Sequence, residues 1–498
     1  MEVVSSLLDG FQVALQPLNL LLAFLGALLG TIIGMLPGIG PINGIAILMP
    51  ISFALGLPAT SMLILFCGIY YGSQYGNSIS TILLNVPGTS SSVATALDGY
   101  PMAKQGRAGP ALAMSAIASF VGGSLSVVGL MLFAPLLARW AIRFGPAEYF
   151  VLMVFTFSMV SALTGTNLRK GLIASLVGLM LASIGIDPGT GIVRYSFGRL
   201  ELYDGLDFVV VTIGLFAVSE VFMLLEQSRL GQVPMQAMGR VMLSFKELLA
   251  STGVMLRSSL LGFMVGVLPG AGATIASFMA YAFEQRLGDR EGSFGHGDIR
   301  GVAAPEAANN ASVSGALIPL LTLGVPGSGT TAVLLGALMS LNITPGPLFI
   351  SQNPSLFWGL VASMFIGNLM LLVLNLPLVG LFVRILLIPR WLLIPGIATI
   401  SYVAVYAVNS SSFDLMLMTA FGVLGYTMRK LHFPVAPVIL ALVLGPLLET
   451  NLRRALSLRN GDWWVLVDSP LSQALWLLVL ASLLLPWWQR WRAARARG

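Results

Sequence analysis

Long apolar stretches alternate with short polar joints over nearly the whole chain. Apolar runs lie near 18–36, 42–58, 60–84, 111–137, 147–164, 171–186 and 208–225. They return near 250–268, 272–284, 303–323, 355–383, 392–408, 413–428 and 434–448, with a last one over 471–488. A helix needs about 20 apolar residues to cross a bilayer. Several runs fall short of that, 272–284 most clearly. Short stretches interrupted by Gly and Pro read as re-entrant hairpins or half-helices. The pattern predicts an all-α polytopic membrane protein with about 11–14 transmembrane helices, some broken or re-entrant. The longest central polar stretch, 226–258, divides the chain in two.

Composition removes the other classes. Of 498 residues, 56% are hydrophobic and 9% charged. A soluble domain carries about 25% charged residues, so a soluble enzyme, a nucleic-acid-binding module and a disordered scaffold are excluded. The net charge of +6 is scattered through short loops and reads as a topology signal rather than a nucleic-acid footprint. The single cysteine, Cys67, excludes intrachain disulfides and Cys-based metal sites. Met1 to Gly10 carries Glu2 and Asp9 but no basic residue, so no signal peptide is expected.

The two parts repeat one another. Leu29–Gly40 (LGTIIGMLPGIG) matches Leu261–Gly272 (LGFMVGVLPGAG) at an offset of 232 residues. Val86–Ser90 (VPGTS) matches Val325–Gly329 (VPGSG) at an offset of 239, and Ser119 and Gly178 match Ser363 and Gly422 at 244. An ordered series with a slowly growing offset is what insertions into a duplicated chain produce. Basic loops in one part face neutral or short loops in the other. Lys104 and Arg107 correspond to the uncharged Leu341–Asn353, and Arg169-Lys170 to Asn409–Ser412. Under the positive-inside rule this predicts two inverted repeats.

The expected organisation is a first transmembrane repeat over 1–230 and a cytoplasmic linker with the start of the second repeat over 231–258. The second transmembrane repeat occupies 259–470. An extra helix with a basic tail occupies 471–498. The N-terminus is expected outside and the C-terminus inside. Arg139, Arg143, Arg194, Arg199, Arg453, Arg454 and Arg459 are then the basic residues on the wrong side.

Catalytic signatures do not emerge. There is no Gly-Lys dipeptide, hence no Walker A loop, and no His-Glu-x-x-His. Neither His296 nor His432 falls inside a span, and Asp414 lacks a second membrane aspartate. A transporter rather than an enzyme is expected, with no cofactor beyond a coupling Na⁺ or H⁺.

The paired Leu-Pro-Gly-x-Gly motifs carry the chemistry. Proline ends the backbone ladder and glycine allows a tight reversal, so the next helix starts with free N–H groups. At membrane depth these need partners, and a helix N-terminus suits a carboxylate. The alternative is a tight hairpin packed without a ligand. After the Val-Pro-Gly breaks come Gly88, Thr89, Ser90 and Ser91 in one half, and Gly327, Ser328, Gly329, Thr330 and Thr331 in the other. Their hydroxyls can bind a carboxylate, or simply cap the following helix. Polar stretches precede the breaks. Ser73, Asn77 and Ser78 stand in the first, and Glu306, Asn309, Asn310 and Ser312 in the second. Glu306 could bind a cation, relay a proton or pair with an arginine, or sit at a helix end as a first-turn acid.

These motifs resemble a known family. Gly34–Pro41 (GMLPGIGP), Tyr70–Gly76 (YYGSQYG), Asp98–Lys104 (DGYPMAK) and Pro305–Ala311 (PEAANNA) are similar to the large membrane subunit, TctA type, of the tripartite tricarboxylate transporters. The resemblance implies a bacterial inner-membrane protein with a small membrane subunit and a periplasmic solute-binding protein as partners. It also implies ion-driven uptake of small organic carboxylates such as citrate. On this reading the substrate lies on 88–91 and 327–331. Coupling cations lie on Pro37, Gly38, Gly40, Asn43, Ser73, Asn77, Ser78, Gly270, Gly272, Thr274, Glu306, Asn309, Asn310 and Ser312. A channel, or a transporter of a different small anion without a binding protein, would use the same broken helices.

Overall fold

The structure is a computed structural model; it describes residues 2–36, 38–163, 167–187, 189–227, 235–289, 292–386 and 390–495. The first half contains α1 (Glu2–Ala14), α2 (Pro17–Met35), α3 (Gly40–Ala54), α4 (Ala59–Leu84), α5 (Val93–Lys104), α6 (Ala108–Ala141), α7 (Pro146–Leu163) and α8 (Leu168–Ala182). A two-stranded hairpin, β1 (Gly185–Ile186) and β2 (Val193–Arg194), precedes α9 (Phe208–Ile213). A π-helical turn over 214–218 joins α9 to α10 (Ser219–Gln227). The second half contains α11 (Phe245–Val267), α12 (Gly272–Gly288), α13 (Ile299–Leu323), α14 (Gly329–Ser340), α15 (Phe349–Gln352) and α16 (Pro354–Asn375). It ends with α17 (Val379–Ile385), α18 (Arg390–Asn409), α19 (Ser412–Lys430), α20 (Ala436–Leu458) and α21 (Pro470–Arg495).

The chain is an all-α polytopic membrane protein. Among the described residues, six segments are long and apolar enough to cross a bilayer: 17–35, 108–141, 208–226, 245–267, 354–375 and 436–458. Shorter apolar helices accompany them, including 40–54 and 329–340. At 1.5 Å per residue, the 12 residues of α14 reach only ~18 Å, well short of the ~30 Å hydrocarbon layer.

Two of the long helices absent from the apolar set lie at the centre of the fold. α4 has 26 residues and α13 has 25, yet both are too polar to qualify. The reason is burial. Nearly every residue of α4 from Ser61 to Leu83, and of α13 from Gly301 to Thr322, is shielded from the surface. These helices meet protein rather than lipid, so Gln74, Asn77, Glu306, Asn309 and Asn310 can be satisfied by neighbours.

Glycine makes that central packing possible. A side chain at Gly30 or Gly34 of α2 would strike the backbone of Ile69 or Ser73 on α4. At the matched positions, Gly262 and Gly266 of α11 lie against the backbone of Ala308 and Ser312 on α13. The order of contacts shows that α2 runs parallel to α4, and α11 to α13. Between the halves, α8 meets α20 at Gly178 on Val438, and α19 meets the π-turn at Gly422 on Val218.

Asp98 of α5 ties the halves together from the other side. Its buried carboxylate accepts from the backbone N–H of Gly295 (2.9 Å), Gly297 (2.8 Å) and Asp298 (2.8 Å), and from the Tyr281 hydroxyl (2.8 Å). The Asp-Gly-Tyr-Pro motif of the first half thus holds the loop that leads into α13. Some of the basic residues expected on the wrong side are neutralised. Arg194 pairs with Glu449 at 2.9 Å, Arg453 with Asp187 at 2.9 Å, and Arg459 with Asp468 at 2.5 Å.

Candidate functional site

The two Leu-Pro-Gly-x-Gly breaks adopt the same backbone. Leu36 and Leu268 leave the helix with extended torsions, φ −80°, ψ 116° and φ −76°, ψ 124°. Gly38 and Gly40 have φ of +89° and +60°, and Gly270 and Gly272 have +81° and +57°. Only glycine adopts such angles freely, which explains both motif glycines in each copy. Pro37 lies outside the described residues. The Val-Pro-Gly breaks match in the same way. Asn85 and Gly324 end α4 and α13 in the left-handed region, and Thr89 and Ser328 are extended before the next helix.

All four breaks meet at one cavity of about 740 Å³, within the usual range of a small-molecule site. The N-terminal ends of α3, α12 and α14 open onto it through Gly40, Gly272 and Gly329, and the short turn leading into α5 through Ser90 and Ser91. The first N–H groups of a helix have no acceptor within that helix, and the end carries partial positive charge. The start of α20 contributes Val435 and Ala436. Several helix N-termini from both halves therefore face one space, an arrangement suited to an anion.

A hydroxyl and amide network lines the first-half wall. Asn77 Nδ2 donates to Thr89 Oγ1 at 2.7 Å, and Ser91 Oγ donates to Gln74 Oε1 at 2.8 Å. Thr89 and Ser91 are 2.8 Å apart. In the second half, Ser328 and Thr331 form a capping box on α14. Tyr70 OH lies 3.1 Å from Ser328 Oγ, and Ser90 Oγ lies 2.7 Å from Thr274 Oγ1, so each half touches the other's break. Gly270 N–H donates to Gly327 O at 2.9 Å and fastens the two second-half breaks together.

The structure brings together Gly38, Gly40, Asn43, Gly88, Thr89, Ser90, Ser91, Gly270, Gly272, Thr274, Ser328, Gly329 and Thr330 on this wall. It sets the others behind it. Gly327 packs on Ala316 of α13, and Thr331 faces its capping partner. Asn77 holds the wall from behind. Ser73 and Ser312 stand at the glycine seams, and Ser78 bonds Ser115 Oγ at 2.7 Å. Asn310 donates to Ser119 Oγ at 2.8 Å and to Asn309 Oδ1 at 2.5 Å. Glu306 sits in the third turn of α13 rather than the first. It accepts from Thr95 Oγ1 at 2.5 Å and Ser119 Oγ at 3.3 Å.

Arg429 is the wall residue that motif reasoning missed. Among the described residues it is the one cationic side chain on the cavity, and its Nη1 donates to Glu220 Oε2 of α10. In the sequence it closes an apolar run beside Lys430 and reads as an interfacial charge. Only the fold turns it inward. Phe216 was likewise hidden among apolar neighbours, and Tyr70 and Gln74 stand in the Tyr70–Gly76 motif without having been named as wall residues.

Comparison with known proteins finds a family and two relatives. The family model described as "Tripartite tricarboxylate transporter TctA family" matches residues 20–440. An Agrobacterium vitis protein described as an uncharacterized 52.8 kDa protein in the TAR-I ttuC' 3' region is 44% identical over 485 residues, 97% of this chain and 96% of that one. A second A. vitis protein, from the TAR-II ttuC' 3' region, is 46% identical over 224 residues, covering 45% of this chain and 93% of its own length. No solved structure matches the chain.

Proposed function

Because the chain belongs to the tripartite tricarboxylate transporter TctA family, we propose that it carries small organic carboxylates such as citrate across the bacterial inner membrane by cation-coupled symport. The convergence of helix N-termini and small hydroxyls on one cavity carries this reading. Dipoles and N–H groups neutralise a carboxylate without the desolvation cost of several buried lysines or arginines. Substrate lies against 88–91 and 328–330, and Na⁺ or H⁺ is taken by oxygen ligands at the paired breaks and in the polar interiors of α4 and α13. The family is that of the large subunit of a tripartite system. The partners are therefore a small membrane subunit and a periplasmic binding protein that delivers the substrate.

The halves act as inverted repeats, over 1–230 and 259–470, with the N-terminus periplasmic and the C-terminus cytoplasmic. Support comes from α4 and α13. Tyr71 of α4 and Ser126 of α6 both bond Ser314 of α13, while Ser78, later on α4, bonds Ser115 of α6, just before the Ser119 that reaches the earlier Glu306. The two central helices thus run in opposite directions although each is parallel to its own leading helix. The test is uptake of labelled citrate and dicarboxylates into proteoliposomes holding the chain and its partners, with imposed Na⁺ and pH gradients. Saturable, gradient-dependent uptake that falls in Thr89→Ala and Thr330→Ala is expected. Non-saturating flux without a gradient would support a channel instead.

A further inference from the structure

Glu220 is placed where it cannot serve only as a partner for Arg429. Its Oε2 accepts from Arg429, while its Oε1 faces Gly38, so that a side chain built on Gly38 would run into that oxygen. The carboxylate therefore bridges the cavity's cation and the first Leu-Pro-Gly-x-Gly break. Beside that break, Asn43 is 3% exposed; its Nδ2 lies 3.4 Å from Gly38 O, and its Oδ1 is buried without a partner. Asn43 and Gly38 both line the cavity. The neighbouring charges are already matched, since Glu226 pairs with Lys430 and accepts from Tyr426 OH. Arg429 and Glu220 stand as a separate pair, the carboxylate 7% and the guanidinium 24% exposed at the side chain.

We propose that the substrate carboxylate displaces Glu220 from Arg429, and that the freed Glu220 carboxylate then completes a Na⁺ site with the Asn43 side-chain oxygen at the Gly38 break. The proposal rests on the carboxylate-transport reading and names how anion and cation are tied together. A guanidinium binds any carboxylate through the same pair of N–H donors. Exchanging Glu220 for substrate therefore keeps Arg429 paired throughout and selects carboxylates over anions of other shape. The exchange leaves Glu220 as a buried carboxylate without a counter-charge, a costly state. A cation held by hard oxygen ligands relieves it. Substrate without Na⁺ strands Glu220. Na⁺ without substrate finds Glu220 engaged. Each ligand raises the affinity for the other, and by linkage the factor is the same in both directions.

The test is titration of the full chain in nanodiscs with a panel of citrate and C4 dicarboxylates, in NaCl and in choline chloride. If wild type binds none of the panel, the transport reading itself falls. Given wild-type binding, the proposal expects tighter binding in NaCl. Arg429→Gln should weaken binding by about tenfold or more, the loss of a charge-assisted pair. Glu220→Gln should keep binding but lose its preference for NaCl over choline. The double variant Glu220→Gln/Arg429→Met removes both charges and guards against misfolding from the carboxylate that Arg429→Gln leaves stranded. It should fold and fail to bind. Unchanged binding in Arg429→Gln, an intact Na⁺ preference in Glu220→Gln, or wild-type binding indifferent to Na⁺ would each overturn the proposal.

Discussion

Gly30→Ala tests the packing on which the cavity depends. A Cβ at Gly30 would lie 2.5 Å from the carbonyl oxygen of Ile69, 2.8 Å from its Cα and 3.0 Å from the Gly68 oxygen. Ordinary carbon contacts begin near about 3.5 Å, so α2 and α4 must part by roughly an ångström. The obstacles are backbone atoms of a buried helix and cannot rotate away. Overpacking of this kind costs about 1–3 kcal/mol. The same helices end in the breaks that carry Gly38 and Thr89, so separating them also displaces the cavity wall.

Gly262→Ala strikes the Ala308 backbone in the second half and should behave alike. Gly367→Ala on α16 is the control. Nothing lies within 4 Å of its added carbon, and alanine favours a helix by up to about 1 kcal/mol. Thermal unfolding of the purified chain, together with reconstituted uptake, should show Gly30→Ala and Gly262→Ala impaired in both and Gly367→Ala unimpaired. Equal melting temperatures and equal uptake for all three would refute the close-packing argument.

Other changes have equally definite outcomes. Asp98→Ala leaves three backbone N–H groups and the Tyr281 hydroxyl without their acceptor. At about 1–3 kcal/mol for each stranded donor, expression of folded protein should collapse; normal yield would contradict the tie. Asn77→Ala removes the donor that orients Thr89 and Ser91. Loss of two bonds worth about 0.5–1.5 kcal/mol each should raise the uptake KM by roughly five- to 150-fold, and a change in kcat alone would count against a positioning role. Asp187, outside the spans, is held down to about 2 from its ordinary 3.8 by the Gly189 N–H and the Arg453 guanidinium. A folded pKa below the unfolded one stabilises fully above that ordinary value and is lost as pH falls from about 4 towards 2. Hydrogen exchange in the Gly185–Arg194 hairpin should therefore rise over that acid range in wild type. Asp187→Asn should exchange at a rate indifferent to pH there, once intrinsic rates are removed.

Local chemistry alone determined much of this protein. Low charge and long apolar runs require lipid, because a chain with 9% charged residues cannot cover a surface in water. Leu-Pro-Gly-x-Gly requires a break in the helix, because proline ends the ladder and the glycines take positive φ. Those constraints act within a few residues, so the breaks, their duplication and most of the cavity wall were legible in order along the chain. Tertiary structure decided which neighbours each polar group meets. Glu306 is as polar at a helix end as in a helix interior, and only the packing of α5 and α6 against α13 buries it among hydroxyls. Arg429 and Lys430 are adjacent and chemically alike, yet one lines the cavity and the other pairs with Glu226 at the surface. One residue along a helix turns a side chain through about 100°, and which of those directions faces the cavity is set by where α19 lies against the π-turn and α10.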